Sequence, residues 1–220
     1  MRAMLKYLVR TPSGQPDTAP LPLVLVMHGR GADANDLADL APMVDPPGGA
    51  RFVFPNAPKA FEAAPGMIFG YTWFDGWPPR GSSLQEARAA VLELLDELVA
   101  RYPTPPGKLI VSGFSQGGLM AIDVGYRTRQ PLAGIVVMSG AIAEADAPDF
   151  DARKDIPVLI VHGTDDDMIP VLAARRARRL LEQHGIEPEY HEFPMGHHVT
   201  PESMAVVRNF MAARLLLTSP

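Results

Sequence analysis

"KLIVSGFSQGG", residues 108–118, runs an apolar segment directly into a serine set among three glycines. The apolar part is short and nearly continuous, which is the pattern of a strand buried on both faces rather than of a one-sided helix. The residues after it, "QGGLMAIDVGYRT" (116–128), open a helical pattern. Gly113-Phe114-Ser115-Gln116-Gly117 therefore sits at a strand-to-helix reversal as a G-x-S-x-G motif. In that reversal the serine takes a strained backbone conformation while its neighbours shrink to hydrogen, so the hydroxyl stands clear. The helix N-terminus also directs backbone N–H groups at the same place and favours negative charge there. Gly-rich turns after strands are common, so the weight comes from this placement and not from the pattern alone.

Working outward, similar apolar runs recur as "LVLVMHG", "RFVFPNAP", "AGIVVMSG" and "PVLIVHGT", each ending in small or turn residues. Helical patterns lie between and after them, at 83–102 behind a serine N-cap and at about 116–129, 171–184 and 201–217. Alternating strands and helices predict an α/β fold, a mostly parallel sheet flanked by helices on both faces, with functional groups outside the carboxyl ends of the strands. "MLKYLVRT" (4–11) is expected to add an antiparallel edge strand. No repeat, linker or low-complexity tract interrupts residues 1–220, which are expected to form a single domain.

The chain has 220 residues, is 47% hydrophobic and carries a formal net charge of −5, which gives no electrostatic reason to approach nucleic acid or an anionic membrane. The sequence contains no cysteine, which excludes disulfides, thiolate nucleophiles and cysteine-ligated metals. The N-terminal stretch lacks the apolar core of a signal peptide, and no run reaches the about 18 residues of a membrane span. A cytoplasmic address without stable membrane insertion is expected. The expected partner is a solvated small molecule.

A serine hydroxyl needs a general base, normally a histidine held in one tautomer by a carboxylate, and both should follow it in chain order. "VLIVHGTDDDMIP" ends a strand in a loop holding Asp165, Asp166 and Asp167; "YHEFPMGHHV" ends another in a loop holding His197 and His198. Spacing alone leaves both choices open, and three adjacent acids are commonly a solvated turn. His184 at a helix end and His191 within a strand are less suitably placed. His28 and His162 precede glycines at strand ends, where a structural role across loops is expected, and no metal constellation is evident.

Six ordered blocks, "HGRGAD" (28–33), "PNAP" (55–58), "WFD" (73–75), "GFSQGG" (113–118), "HGTDDDMIP" (162–170) and "PMGHHV" (194–199), resemble the phospholipase/carboxylesterase family of α/β-hydrolases. That family includes acyl-protein thioesterases and small bacterial carboxylesterases. The resemblance implies an α/β-hydrolase fold. The segment "AIAEADAPDFDARKDI" (141–156) is too short for a large lid, and the expected chemistry requires no cofactor. The resemblance also implies Asp166 as the acid and His197 as the base. Pro194 in place of the family's usual glycine, and the second histidine, are departures from its pattern.

Acyl transfer needs fixed donors for a developing oxyanion. The backbone N–H of Gln116, next to the nucleophile, and that of Arg30 in "MHGRG" are the expected pair. "GRGADA" also fits G-x-G-x-x-A, but the next strand ends in proline and asparagine where a dinucleotide fold needs an acid. "KAFEAAPGMIFGYTWFDGWP" is expected to be an aromatic-dense loop supplying a substrate pocket through Met67 and Trp73. Arg175, Arg176, Arg178 and Arg179 read as a solvated helix face, with an interface as the alternative, and a homodimer is kept as an expected assembly. The expected function is a serine carboxylesterase acting on small to medium esters or thioesters. The alternatives are a thioesterase or lysophospholipase for longer chains, and a hydrolase-fold binding protein without turnover.

Overall fold

The computed structural model describes residues 4–216, so Leu217, the end of the last expected helix, lies outside the described residues. Among the described residues nine strands are formed: β1 (Tyr7–Arg10), β2 (Leu23–Met27), β3 (Arg51–Pro55), β4 (Lys59–Ala64), β5 (Met67–Thr72), β6 (Leu109–Phe114), β7 (Leu132–Met138), β8 (Val158–Gly163) and β9 (Glu189–Phe193). The helices are α1 (Ala41–Val44), α2 (Ser83–Arg101), α3 (Gln116–Gly125), α4 (Leu172–Gln183) and α5 (Pro201–Leu215). Seven strands make one sheet in the order β1-β3-β2-β6-β7-β8-β9. Within this sheet, among the described residues, only the edge pair β1–β3 is antiparallel, with Tyr7 opposite Pro55, as the N-terminal run predicts.

The apolar runs alternate their side chains between two cores. Leu23, Leu25 and Met27 of β2, with Val111 and Val137, pack beneath α2, α3 and α4. Val24 and Val26, with Ile110 and Val136, pack beneath α1 and α5. Continuous hydrophobicity was therefore the correct signal of a sheet covered on both faces. From β2 the chain goes to β3 on one side and then to β6 on the other, so the winding reverses between β2 and β6. In such sheets the crevice outside this switch point is where ligands bind. His28 and Ser115 follow β2 and β6 there.

The stretch expected to be an aromatic-dense loop is instead a two-stranded hairpin, β4–β5, turned at Pro65-Gly66 with Gly66 at φ 77°. Bulges at Phe61/Glu62 and Glu62/Ala64 break its alternation, which hides the strand period from the sequence. α3 ends at Gly125, earlier than the pattern to 129 suggests. The 139–157 connection carries only one-turn 3-10 segments, at Glu144–Asp146 and Asp151–Arg153, in keeping with the absence of a large lid.

Asp123 on α3 joins three elements. Its carboxylate accepts from Arg88 Nε of α2 at 2.7 Å and from Arg127, and Arg88 Nη2 reaches Asp146 at 2.7 Å. Burial pushes the Asp123 carboxyl up, while Arg88 and Arg127 pull it down. Asp123→Ala would leave two largely enclosed guanidinium groups under-compensated. The expected loss is about 3 kcal/mol of unfolding free energy, read from urea denaturation, since removing one partner of a buried ion pair is strongly destabilising.

Candidate active site

Ser115 stands between β6 and α3 at φ 57°, ψ −119°, one of two non-glycine residues with positive φ among those described. The flanking glycines explain how the turn closes. A Cβ on Gly113 would lie 2.1 Å from the Gly117 carbonyl oxygen, and one on Gly117 would lie 2.0 Å from that of Met27. Neither backbone can yield, so both positions require glycine. The strain at Ser115, on the order of 1–3 kcal/mol, is held by this packing and by its N–H bond to the Met138 carbonyl at 2.9 Å.

Three loops at the carboxyl ends of β6, β8 and β9 meet. Ser115 Oγ lies 2.9 Å from His197 Nε2, and His197 Nδ1 lies 2.7 Å from Asp166 Oδ2. With the imidazole neutral and protonated at Nδ1, the hydroxyl donates to Nε2 and Nδ1–H donates to the carboxylate. The other oxygen, Asp166 Oδ1, accepts from the N–H groups of Met168 at 3.0 Å and Ile169 at 2.8 Å. Phe114 flanks the imidazole with ring centroids 4.8 Å apart.

Burial separates the candidates that spacing leaves open. Asp166 is buried, whereas Asp165 and Asp167 are exposed. His198 is exposed and makes no side-chain hydrogen bond among the described residues, its ring lying beside Gly196. His184 contacts Asp151 and His191 contacts Glu189, both at the surface. His162 is buried behind the acid, with Nε2 donating to the Ile169 carbonyl at 2.7 Å, and desolvation holds its pKa below the ordinary value.

The amides of Arg30 and Gln116 are both at this edge, and neither is bonded to an acceptor among the described residues. Gly29 brings the first loop close: a Cβ there would touch Ser115 Cβ at 3.3 Å. The Arg30 guanidinium lies over the Phe61 ring, 4.7 Å from its centroid.

The two expected pocket residues are not together. Met67 is 55% exposed on the hairpin, while Trp73 is 0% exposed in the core and donates Nε1–H to the His28 carbonyl at 2.8 Å. Trp73 is therefore a core residue and not a pocket wall; an indole with a satisfied N–H is at home in a sealed position. A cavity of about 650 Å³ instead lies along α2, α3 and α4, lined by Trp77, Leu84, Leu119, Ile142, Ala173 and Arg176. Leu119 is one helical turn along α3 from Ser115. Trp77 belongs to the aromatic-rich stretch that the sequence singles out, but nothing local distinguishes it from Trp73. Of the arginines on α4, Arg175 pairs with Glu192 at 2.6 Å and Arg178 with Glu182 at 2.6 Å, as a solvated face would. Among the described residues, no group of three or more His, Asp or Glu gathers to hold a metal ion, and no helix is long and apolar enough to cross a membrane.

The sequence profile of the phospholipase/carboxylesterase family matches residues 14–215. The chain belongs to the phospholipase/carboxylesterase family. Among relatives of this family member, carboxylesterase SOBER1 of Arabidopsis thaliana is 27% identical over 206 residues, covering 87% of this chain and 90% of the relative. Acyl-protein thioesterase 1 of Neurospora crassa is 26% identical over 182 residues, covering 75% and 74%. Among solved structures, esterase PE8 superposes with a TM-score of 0.82 at 30% identity, covering 97% of this chain and 100% of that one. Family membership and this superposition make the protein a carboxylesterase-type α/β-hydrolase.

Proposed function

We propose that the protein is a serine carboxylesterase that works through an acyl-enzyme, with Ser115 as nucleophile, His197 as base and Asp166 as its orienter. The observation that carries this reading is the unbroken hydrogen-bond series from Ser115 Oγ through His197 to Asp166, at 2.9 and 2.7 Å. Ser115 Oγ attacks the ester carbonyl while His197 Nε2 takes its proton, and Asp166 stabilises the imidazolium through Nδ1–H. The carbonyl oxygen, now anionic, accepts from the Gln116 and Arg30 N–H groups. His197 returns the proton to the leaving alcohol or thiol, takes one from the water that attacks the acyl-enzyme, and passes it to Ser115 Oγ as the carboxylic acid leaves. All of this machinery comes from one chain and calls on no cofactor.

The cavity of about 650 Å³ beside Leu119 is the proposed seat of a small to medium acyl group. A series of p-nitrophenyl esters from acetyl to palmitoyl tests this, with an expected optimum at short to medium chains. Ala173→Phe, which fills the cavity from α4, should lower kcat/KM for the octanoyl ester by about tenfold relative to the acetyl ester, as a few lost methylene contacts would. An unchanged ratio would remove the acyl group from this cavity. A sharp palmitoyl optimum would favour the second reading, a long-chain thioesterase, which the relative named acyl-protein thioesterase 1 supports. An enzyme-free binding role predicts no turnover at all.

A further inference from the structure

The two amides expected to receive the oxyanion belong to different loops, and both loops are fastened to one short segment, Tyr71–Phe74. On the α3 side, the buried Gln116 side chain is held at both its amide oxygen and its amide nitrogen. Its Oε1 accepts from Thr72 Oγ1 at 3.0 Å and from the Trp73 N–H at 3.1 Å, and its Nε2 donates to the Phe74 carbonyl at 3.0 Å. On the β2 side, the Gly31 N–H donates to the Tyr71 carbonyl and the Tyr71 N–H donates to the Ala32 carbonyl, both at 2.8 Å. Gly70 permits this approach, because a Cβ there would lie 2.2 Å from the Gly31 carbonyl oxygen.

Trp73 joins the two sides. Its backbone N–H is on Gln116, while its indole Nε1–H donates to the His28 carbonyl at 2.8 Å and its ring lies 5.3 Å from the His28 ring. His28 Nδ1–H in turn donates to the Gly29 carbonyl at 2.6 Å, with Nε2 accepting from the Ala57 N–H at 3.1 Å. Desolvation favours the neutral ring, which this donor-and-acceptor pattern needs. The Gly29 carbonyl and the Arg30 N–H share one planar trans peptide and point in opposite directions. Holding the carbonyl therefore aims the N–H.

We propose that Trp73 is a positioning residue that sets the separation and direction of the two oxyanion donors. It touches no substrate and acts through His28 on one side and Gln116 on the other. The proposal rests on the serine esterase reading, and its test uses matched oxygen esters and thionoesters. The sulfur of a thionoester accepts hydrogen bonds poorly, so its reaction depends less on the oxyanion donors. Trp73→Phe keeps an aromatic side chain but removes the Nε1–H together with the five-membered ring that carries it. It is expected to lower kcat for the oxygen ester by about ten- to a hundredfold, short of the 10²–10³ for loss of a donor, with KM within about twofold. The thionoester should lose far less, so the oxygen-to-thiono ratio falls. The affinity of a trifluoromethyl ketone should fall by the same factor as kcat/KM for the oxygen ester.

Thr72→Val, which removes the hydroxyl from Gln116 without changing size, should give the same signature at about three- to tenfold. It reads the Gln116 side of this brace by itself, and if Trp73→Phe does not fold, a loss here that is equal for both ester types would overturn the proposal. Equal losses for both ester types would show general loosening of the fold and overturn the proposal. Failure of the wild-type enzyme to hydrolyse either ester through Ser115 would instead overturn the esterase reading itself.

Discussion

Ser115→Ala should lower kcat on a simple aryl ester by about four or more powers of ten, since a catalytic series of this kind fails as a unit when its nucleophile is removed. The matching control is Ser139, at the end of the neighbouring strand β7. It too has positive φ, at 47°, and its hydroxyl is buried without a hydrogen-bond partner among the described residues. Strain alone would nominate either serine. Among the described residues only Ser115 of the two has an imidazole within hydrogen-bond reach, His197 Nε2 at 2.9 Å, so Ser139→Ala is expected to stay within about threefold of the wild type. Kinetics of both variants, together with mass spectrometry after fluorophosphonate treatment, read the difference. Retention of a tenth of the activity by Ser115→Ala, or a label on Ser139, would move the nucleophile elsewhere.

The contrast between these serines shows which parts of the site a sequence displays. Gly113 and Gly117 are visible because backbone atoms 2.1 and 2.0 Å from any added Cβ leave no other residue possible, and a constraint that hard is written into residue type. The strands are visible for a related reason: burial on both faces excludes polar residues from β2, β6, β7 and β8 almost completely. Asp166 is less legible, since it and its neighbours Asp165 and Asp167 are the same residue type, and only the direction of the loop decides which one is enclosed. The hairpin escaped because its bulges erase the two-residue period and because Met67, Ile68 and Phe69 remain exposed despite being apolar. Trp73 was misplaced for a different reason. An aromatic residue beside a site looks the same in sequence whether it faces substrate or braces the backbone from behind, and only its 0% exposure and its bond to His28 separate the two.

The choice among the three acids carries the second large effect. Asp166→Asn is expected to lower kcat by about four powers of ten while leaving KM nearly unchanged, because an amide cannot satisfy both sets of neighbours in either orientation. If its oxygen stays toward the N–H groups of Met168 and Ile169, its NH₂ faces His197 Nδ1. That nitrogen must then accept, which moves the ring proton to Nε2, where it points at the Ser115 hydroxyl and no lone pair remains to take the proton. If the amide turns over, its NH₂ meets two backbone donors that it cannot bond. Asp165→Asn and Asp167→Asn face solvent and should remain within about threefold of the wild type. Kinetics of the three variants on one aryl ester, with thermal melting to verify folding, rank them directly; a loss at position 165 or 167 equal to that at 166 would mean that the imidazole is oriented by a different carboxylate.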